Sequence, residues 1–274
     1  MIIRDIPAID VHCHYGFYLT KEPGIWEGFQ SANEQTVMRR LAGSNIKCAV
    51  VSPLLGLSPR GDNDAVAGNI ECREVCARNS PLFQWAVVDP RKPETFAQAE
   101  EMLKDRKCLG VKIHPEEHLY PIKEYGKMIF EWAARQGIIV QSHSGEEHSN
   151  PLDYVEFANN YPNVKMILSH IGCGWDRDPT RQVRAIQAAK HGNIYSDTSS
   201  ASSITPGLIE WAVREAGSEH IMFGTDTPCY FTAMQRARID AAEMEDEHKI
   251  NILYRTALTV FGGALEEYYY KVLL

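Results

Sequence analysis

Residues 8–15 read Ala-Ile-Asp-Val-His-Cys-His-Tyr, a short apolar run that closes on two histidines. Such a run predicts a β-strand, on which alternate side chains face the same way, so His12 and His14 share one face about 6.6 Å apart along the strand. The pattern returns along the chain. Strand-like runs follow at 47–53, 83–89, 108–115, 138–145, 164–172, 194–199 and 221–228, and several end on a polar group: Lys112-Ile113-His114, Gln141-Ser142-His143, Ser169-His170 and Thr225-Asp226. Between them lie helical periodicities near 33–44, 62–79, 93–106, 121–136, 150–161, 179–190, 205–216 and 230–240, with a further one over 246–261.

Alternating strands and helices make an α/β protein with a parallel sheet. The expected architecture is a (β/α)₈ TIM barrel, with an open doubly wound sheet as the alternative, because periodicity alone does not bring the first strand to the last. The polar strand ends favour the barrel, where an active site is assembled at the C-terminal ends of the strands. At 274 residues, 44% of them hydrophobic, the chain is expected to form a single domain over 1–274, since no Pro/Gly/Ser-rich linker divides it.

A net charge of −8 leaves no broad basic surface for nucleic acid or anionic membrane, so a small molecule is the expected partner. The N-terminus lacks the layout of a signal peptide, and no apolar stretch approaches the roughly 20 residues that span a bilayer. Seven scattered cysteines fit a reducing cytosol, and Cys72 and Cys76, one helical turn apart, read as ordinary helix residues. The apolar tail from Tyr268 to Leu274 is expected to pack on the barrel or on a second subunit, which makes a homodimer the expected assembly.

Two imidazoles from one strand can meet one ion, and His143 and Asp226 supply a further nitrogen and oxygen from across the barrel. That set suits Zn²⁺ and, less selectively, other divalent transition metals. One ion per chain is expected. For Asp226 the structural alternative is a helix N-cap, since Thr227-Pro228 and a helix follow it.

The motifs Asp10-Val11-His12-Cys13-His14, Gly110-Val111-Lys112-Ile113-His114-Pro115, Ser142-His143, Leu168-Ser169-His170 and Gly224-Thr225-Asp226 together resemble the amidohydrolase superfamily. More narrowly they resemble the amidohydrolase-related branch that contains aminocarboxymuconate semialdehyde decarboxylase. The resemblance implies that His12, His14 and His143 bind the metal, that Asp226 is a ligand or base beside it, and that His170 is a catalytic or orienting histidine. In binuclear members a strand-4 lysine is carboxylated and bridges two metals, which Lys112 matches in position; a single ion, with Lys112 and His114 facing the substrate, is the expected arrangement here.

The top-face loops carry Tyr18 and Trp26, Arg60, Glu116-Glu117-His118, Glu146-Glu147-His148 and Trp175-Asp176-Arg177-Asp178. Arg60 and Arg177 are the candidate anchors for a substrate carboxylate, and Trp175 a candidate pocket wall. Hydrolysis of a small lactone, amide or ester by metal-activated water ranks first, because it needs only an electrophile near the ion. Nonoxidative decarboxylation of a small carboxylated substrate ranks second, because it also needs a cationic clamp. Hydration and metal binding without catalysis are the remaining readings.

Overall fold

Each expected apolar run forms a strand, and each strand pairs in parallel with the next along the chain. The computed structural model describes residues 2–22 and 24–273. Its strands are β1 (Ala8–Tyr15), β2 (Ile46–Pro53), β3 (Leu82–Val87), β4 (Cys108–Ile113), β5 (Val140–Ser142), β6 (Met166–Leu168), β7 (Ile194–Asp197) and β8 (Ile221–Met222), in the order β1 to β8 of one sheet. The sheet closes on itself. His14 N donates to Thr227 O at 2.6 Å, Asp226 N to His12 O at 2.8 Å and Val11 N to Phe223 O at 3.0 Å, so the segment after β8 lies along β1. The barrel is therefore the architecture and the open sheet is not.

The later strands are shorter than expected because their ends turn off the ladder. His170 and Asp226 adopt φ of +68° and +55°, a left-handed conformation that no strand continues and that costs a non-glycine residue about 1–2 kcal/mol. The helices α2 (Glu34–Gly43), α3 (Ala65–Arg78), α4 (Glu94–Met102), α5 (Ile122–Ala134), α6 (Val155–Asn160), α7 (Arg181–Ala188), α8 (Leu208–Ala216) and α9 (Thr232–Asp240) follow β1 to β8 in turn. Asn33 caps α2 through Thr36 N, and Asp64 caps α3 through Ala67 N, both at 2.9 Å. Two helices were not foreseen: one in the C-terminal tail, and α1 (Ile25–Phe29), which lies within the first loop and buries none of its residues.

Ile9, Val11, Val50, Phe83, Trp85 and Met222 pack into one cluster with Leu258, Val260, Leu265 and Tyr269 from the C-terminal helices. Trp85 lies wholly inside and donates to Val11 O at 3.0 Å; truncating so large a core side chain costs about 3–5 kcal/mol. The expected helix at 246–261 is three pieces, α10 (Asp246–Ile250), a π-turn (Asn251–Arg255) and α11 (Thr256–Phe261). The wider turn leaves Ile252 O to accept from Phe223 N at 2.9 Å. The tail forms α12 (Gly263–Lys271) and packs on the barrel, with Tyr269 1% exposed and its hydroxyl on Pro7 O at 2.8 Å. Leu274 falls outside the described residues. Among those described, no helix is long and apolar enough to cross a membrane.

Candidate active site

The C-terminal ends of the strands surround a cavity of about 230 Å³, lined by His12, His14, His114, His143, His170 and Asp226 among others. On β1 the alternation of side chains brings His12 Nε2 within 3.1 Å of His14 Nε2. Asp226 Oδ1 reaches them from the end of β8, 3.1 Å from His14 Nε2 and 3.5 Å from His12 Nε2.

The protons on these rings follow from their outer partners. His14 Nδ1 lies 3.1 Å from the carbonyl of Ser52, and His12 Nδ1 lies 3.1 Å from the Asp197 carboxylate. Both partners accept at those contacts, so each Nδ1 carries the hydrogen and each Nε2 presents a lone pair inward. Two imidazole lone pairs and a carboxylate oxygen thus converge without a proton between them. Lys112 Nζ meets the His12 lone pair at 3.0 Å, but His14 Nε2 and Asp226 Oδ1 face each other with no hydrogen between them, a repulsion that a cation among the three relieves. Donor atoms about 2.0–2.1 Å from one ion stand about 2.9 Å apart along an octahedral edge and about 3.4 Å along a tetrahedral one, and the observed separations of 3.1, 3.1 and 3.5 Å lie close to those values. The residues fit a divalent metal.

Burial would raise the Asp226 carboxyl, but the imidazoles of His14, His12 and His170 around it hold it well below the usual carboxylate range. Burial likewise opposes ionisation of Asp197, and His12, His170 and Ser199 more than offset it. His12 is pushed down to about 4, first by burial and then by Lys112, so it stays neutral. Asp226 is no helix cap, since α9 begins only at Thr232.

His143 does not join this trio. The three-residue groups of close ligand atoms among the described residues are His12–His14–Asp226 and His12–His170–Asp197. The two ring nitrogens of His143 are held instead by His170 Nε2 and Glu146 Oε2, each at 3.0 Å. Because the Glu146 carboxylate accepts, His143 Nδ1 accepts in turn from His170 Nε2–H. His170 Nδ1 faces Ser199 Oγ at 2.8 Å, and Ser199 Oγ also lies 2.9 Å from His12 Nδ1 and close to Asp197 Oδ1. Burial keeps His170 neutral by lowering its affinity for a second proton.

The expected substrate contacts divide. Arg60 and His114 line the cavity. Lys112 does not: it is fully buried beneath the floor, its Nζ 3.0 Å from His12 Nε2 and 3.1 Å from Gln141 Oε1, and burial pulls its pKa down to about 8. Trp175 and Arg177 also lie outside the lining. Trp175 is 46% exposed with the Arg181 guanidinium stacked 4.1 Å from its ring, and Arg177 is exposed beside it.

Sequence reasoning passed over Asp197 and Ser199, at and just beyond the end of β7, and the lining residues Cys173, Cys229 and Tyr230. The signal for Asp197 was an acid closing a strand-like run, as Asp226 does; nothing marked the other four.

The amidohydrolase family model matches residues 9–263. No curated protein matches the chain. Among solved structures, 5-carboxyvanillate decarboxylase from Sphingomonas paucimobilis superposes with a TM-score of 0.73 at 12% identity, over 94% of this chain and 99% of that one. A 2,6-dihydroxybenzoate decarboxylase complexed with 2,6-dihydroxybenzoate gives 0.73 at 13% identity, over 93% and 99%. A dihydroxybenzoic acid decarboxylase from Polaromonas with bound manganese and the inhibitor 2-nitroresorcinol gives 0.70 at 14% identity, over 93% and 96%. At such identities the likeness is one of fold.

Proposed function

Because the chain belongs to the amidohydrolase family, an enzyme family, we propose that it is a divalent-metal-dependent, nonoxidative decarboxylase of a small ring carboxylic acid. The observation that carries this reading is the cavity: three convergent donors at its floor, one cationic side chain in its wall and room for about one substituted ring. A volume of about 230 Å³ lies below the roughly 300–1,000 Å³ typical of drug-sized ligands, which leaves out polymers and long chains. The decarboxylases that share the barrel support the same reading over hydrolysis, and so reverse the order expected from sequence.

His12, His14 and Asp226 would hold the ion, zinc or manganese, and His143 would join them only by giving up Glu146. A bound divalent ion would draw electron density from substrate oxygens as the carbon–carbon bond breaks. Arg60 is the one Arg or Lys in the lining, and it holds the substrate's negative charge near the mouth. Leu54 and Leu57 exclude water from the ring. Decarboxylation sends the carboxyl group out as CO₂ and leaves its carbon in need of one proton. Asp226, held ionised, and neutral His170, whose Nε2–H is taken up by His143 Nδ1, are both poor sources of it, so the proton comes from solvent through the cavity mouth.

The test loads the protein with Mn²⁺ or Zn²⁺ and offers 2,6-dihydroxybenzoate, 5-carboxyvanillate, lactones and amides in parallel, recording CO₂ and acid release. CO₂ from a ring carboxylate is expected. Acid from a lactone or amide, with no CO₂ from any carboxylate, returns hydrolysis to first place.

A further inference from the structure

The loop after β4 carries two adjacent acids with different surroundings. Glu116 is spent within the protein, its Oε1 accepting from His148 N at 2.7 Å and Ser149 Oγ at 3.3 Å. Glu117 lines the cavity although it is only 5% exposed. Its backbone is pinned on both sides, by Gly61 N on its carbonyl at 2.7 Å and by its own N–H on His114 Nδ1 at 3.2 Å.

The Glu117 side chain is used on one side only. Oε1 accepts from Arg60 Nη2 at 3.1 Å and from the Tyr18 hydroxyl at 3.4 Å. Oε2 is buried and, among the described residues, has no donor. A buried carboxylate oxygen without a donor is unfavourable, so its retention in a binding cavity points to a donor on the ligand. The neighbouring imidazole supplies the complement. His114 Nδ1 accepts from Glu117 N, so its Nε2 carries the hydrogen, and the ring, stacked 4.2 Å from His143, lines the same cavity.

An acceptor and a donor three residues apart match a group that both gives and takes a hydrogen bond. We infer that Glu117 and His114 read a hydroxyl substituent on the substrate, Glu117 Oε2 accepting its proton and His114 Nε2–H donating to its oxygen. The Arg60 side chain is half exposed and lines both the cavity and a neighbouring surface groove with Thr20, Lys21 and Leu119, which leaves it room to shift as a ligand hydroxyl approaches Oε2. The inference rests on reading the cavity as a site for small ring carboxylates and specifies which of them bind.

The test is calorimetric titration of the Mn²⁺-loaded protein with benzoate, 3-hydroxybenzoate and 4-hydroxybenzoate, whose hydroxyls stand too far from the carboxylate to chelate an ion together with it. At least one hydroxybenzoate is expected to bind about tenfold to a hundredfold tighter than benzoate, the worth of a hydrogen bond to a charged acceptor. Glu117→Ala should abolish that advantage and Glu117→Gln, isosteric and uncharged, should reduce it, each read as the ratio of hydroxybenzoate to benzoate affinity within the same variant; the Gln variant carries the test should the Ala variant fail to fold. Equal affinity for all three ligands in the unmodified protein, including no binding of any, overturns the inference, as does an undiminished advantage in the variants. A Glu117-dependent preference without CO₂ release from any carboxylate removes the decarboxylase and leaves the hydroxyl site standing.

Discussion

His143 Nδ1 lies 3.0 Å from His170 Nε2, so the imidazole that follows β5 is tied to its neighbour and to Glu146 rather than to the pair on β1. Removing it should therefore hurt metal binding less than removing a member of the trio. In competition titrations against a chelator, His14→Ala should lose at least about a hundredfold in metal affinity. His143→Ala should lose about tenfold, the low end of what an outer partner is worth. Equal losses would show that His143 turns inward to bind the ion.

Asp197 decides which nitrogen of His12 is bare. Its carboxylate oxygen takes the Nδ1 hydrogen at 3.1 Å, whereas an amide can turn its NH₂ to the same atom and drive the hydrogen onto Nε2, the nitrogen that faces Asp226. Asp197→Asn should keep the fold and weaken metal binding about tenfold to a hundredfold. Unchanged affinity would separate the His12 tautomer from Asp197.

His118 makes the fold sensitive to acid. Burial pushes its pKa down to about 4, opposed by Asp89 and by the Gly56 carbonyl that Nε2 meets at 3.0 Å, while Arg91 and Lys92 push it further down. The unfolded chain, with an ordinary histidine near 6.5, therefore binds the proton first. Stability falls as pH drops from about 6.5 to about 4, by about 3 kcal/mol from this residue over the whole window. His118→Gln keeps a donor for Gly56, and its urea midpoint should decline less over that range than that of the unmodified protein. Parallel declines would assign the acid sensitivity elsewhere.

Lys107 stands where four carbonyls converge: its Nζ lies 2.6 Å from Cys76 O, 2.9 Å from Asn79 O, 3.1 Å from Leu82 O and 3.3 Å from Ser80 O. A compact ammonium suits that cage and a planar guanidinium does not. Lys107→Met should cost about 2 kcal/mol in chemical denaturation, and Lys107→Arg should not restore it, while metal content stays unchanged. Full rescue by arginine would mean that charge near the end of α3, not the cage, is what matters.

The barrel and the floor of its site were legible because both are written in short-range pattern. His12-x-His14 and the polar residue closing each later strand state a periodicity and an end, and a parallel barrel converts strand ends into neighbours. Contacts made by loops were not legible in this way. Trp175 and Arg177 carry the right chemistry for a pocket, yet Trp175 stacks with Arg181 and stays exposed, an interaction between residues whose spacing marks no motif. Glu116 and Glu117 are the same residue type side by side, and only the fold sends one to His148 and the other to the cavity. His143 shows a further gap: strand order places it at the right end of the barrel, but its rotamer follows from Glu146 and His170, which no local pattern couples to it.

The hydrogen bonds that bring β1 and the segment after β8 together run through His12, His14 and Asp226 themselves. Those residues belong to opposite ends of the chain, so an ion held among them is also a cross-link spanning a loop on the order of 200 residues, long enough that tying its ends removes much of the unfolded chain's freedom. Such a tie exists only in the folded protein, and it strengthens one inter-strand boundary out of eight. When metal is scarce, the first strand is expected to part from the last before any other neighbours separate, with the amides of Val11 and His14 exchanging with solvent early.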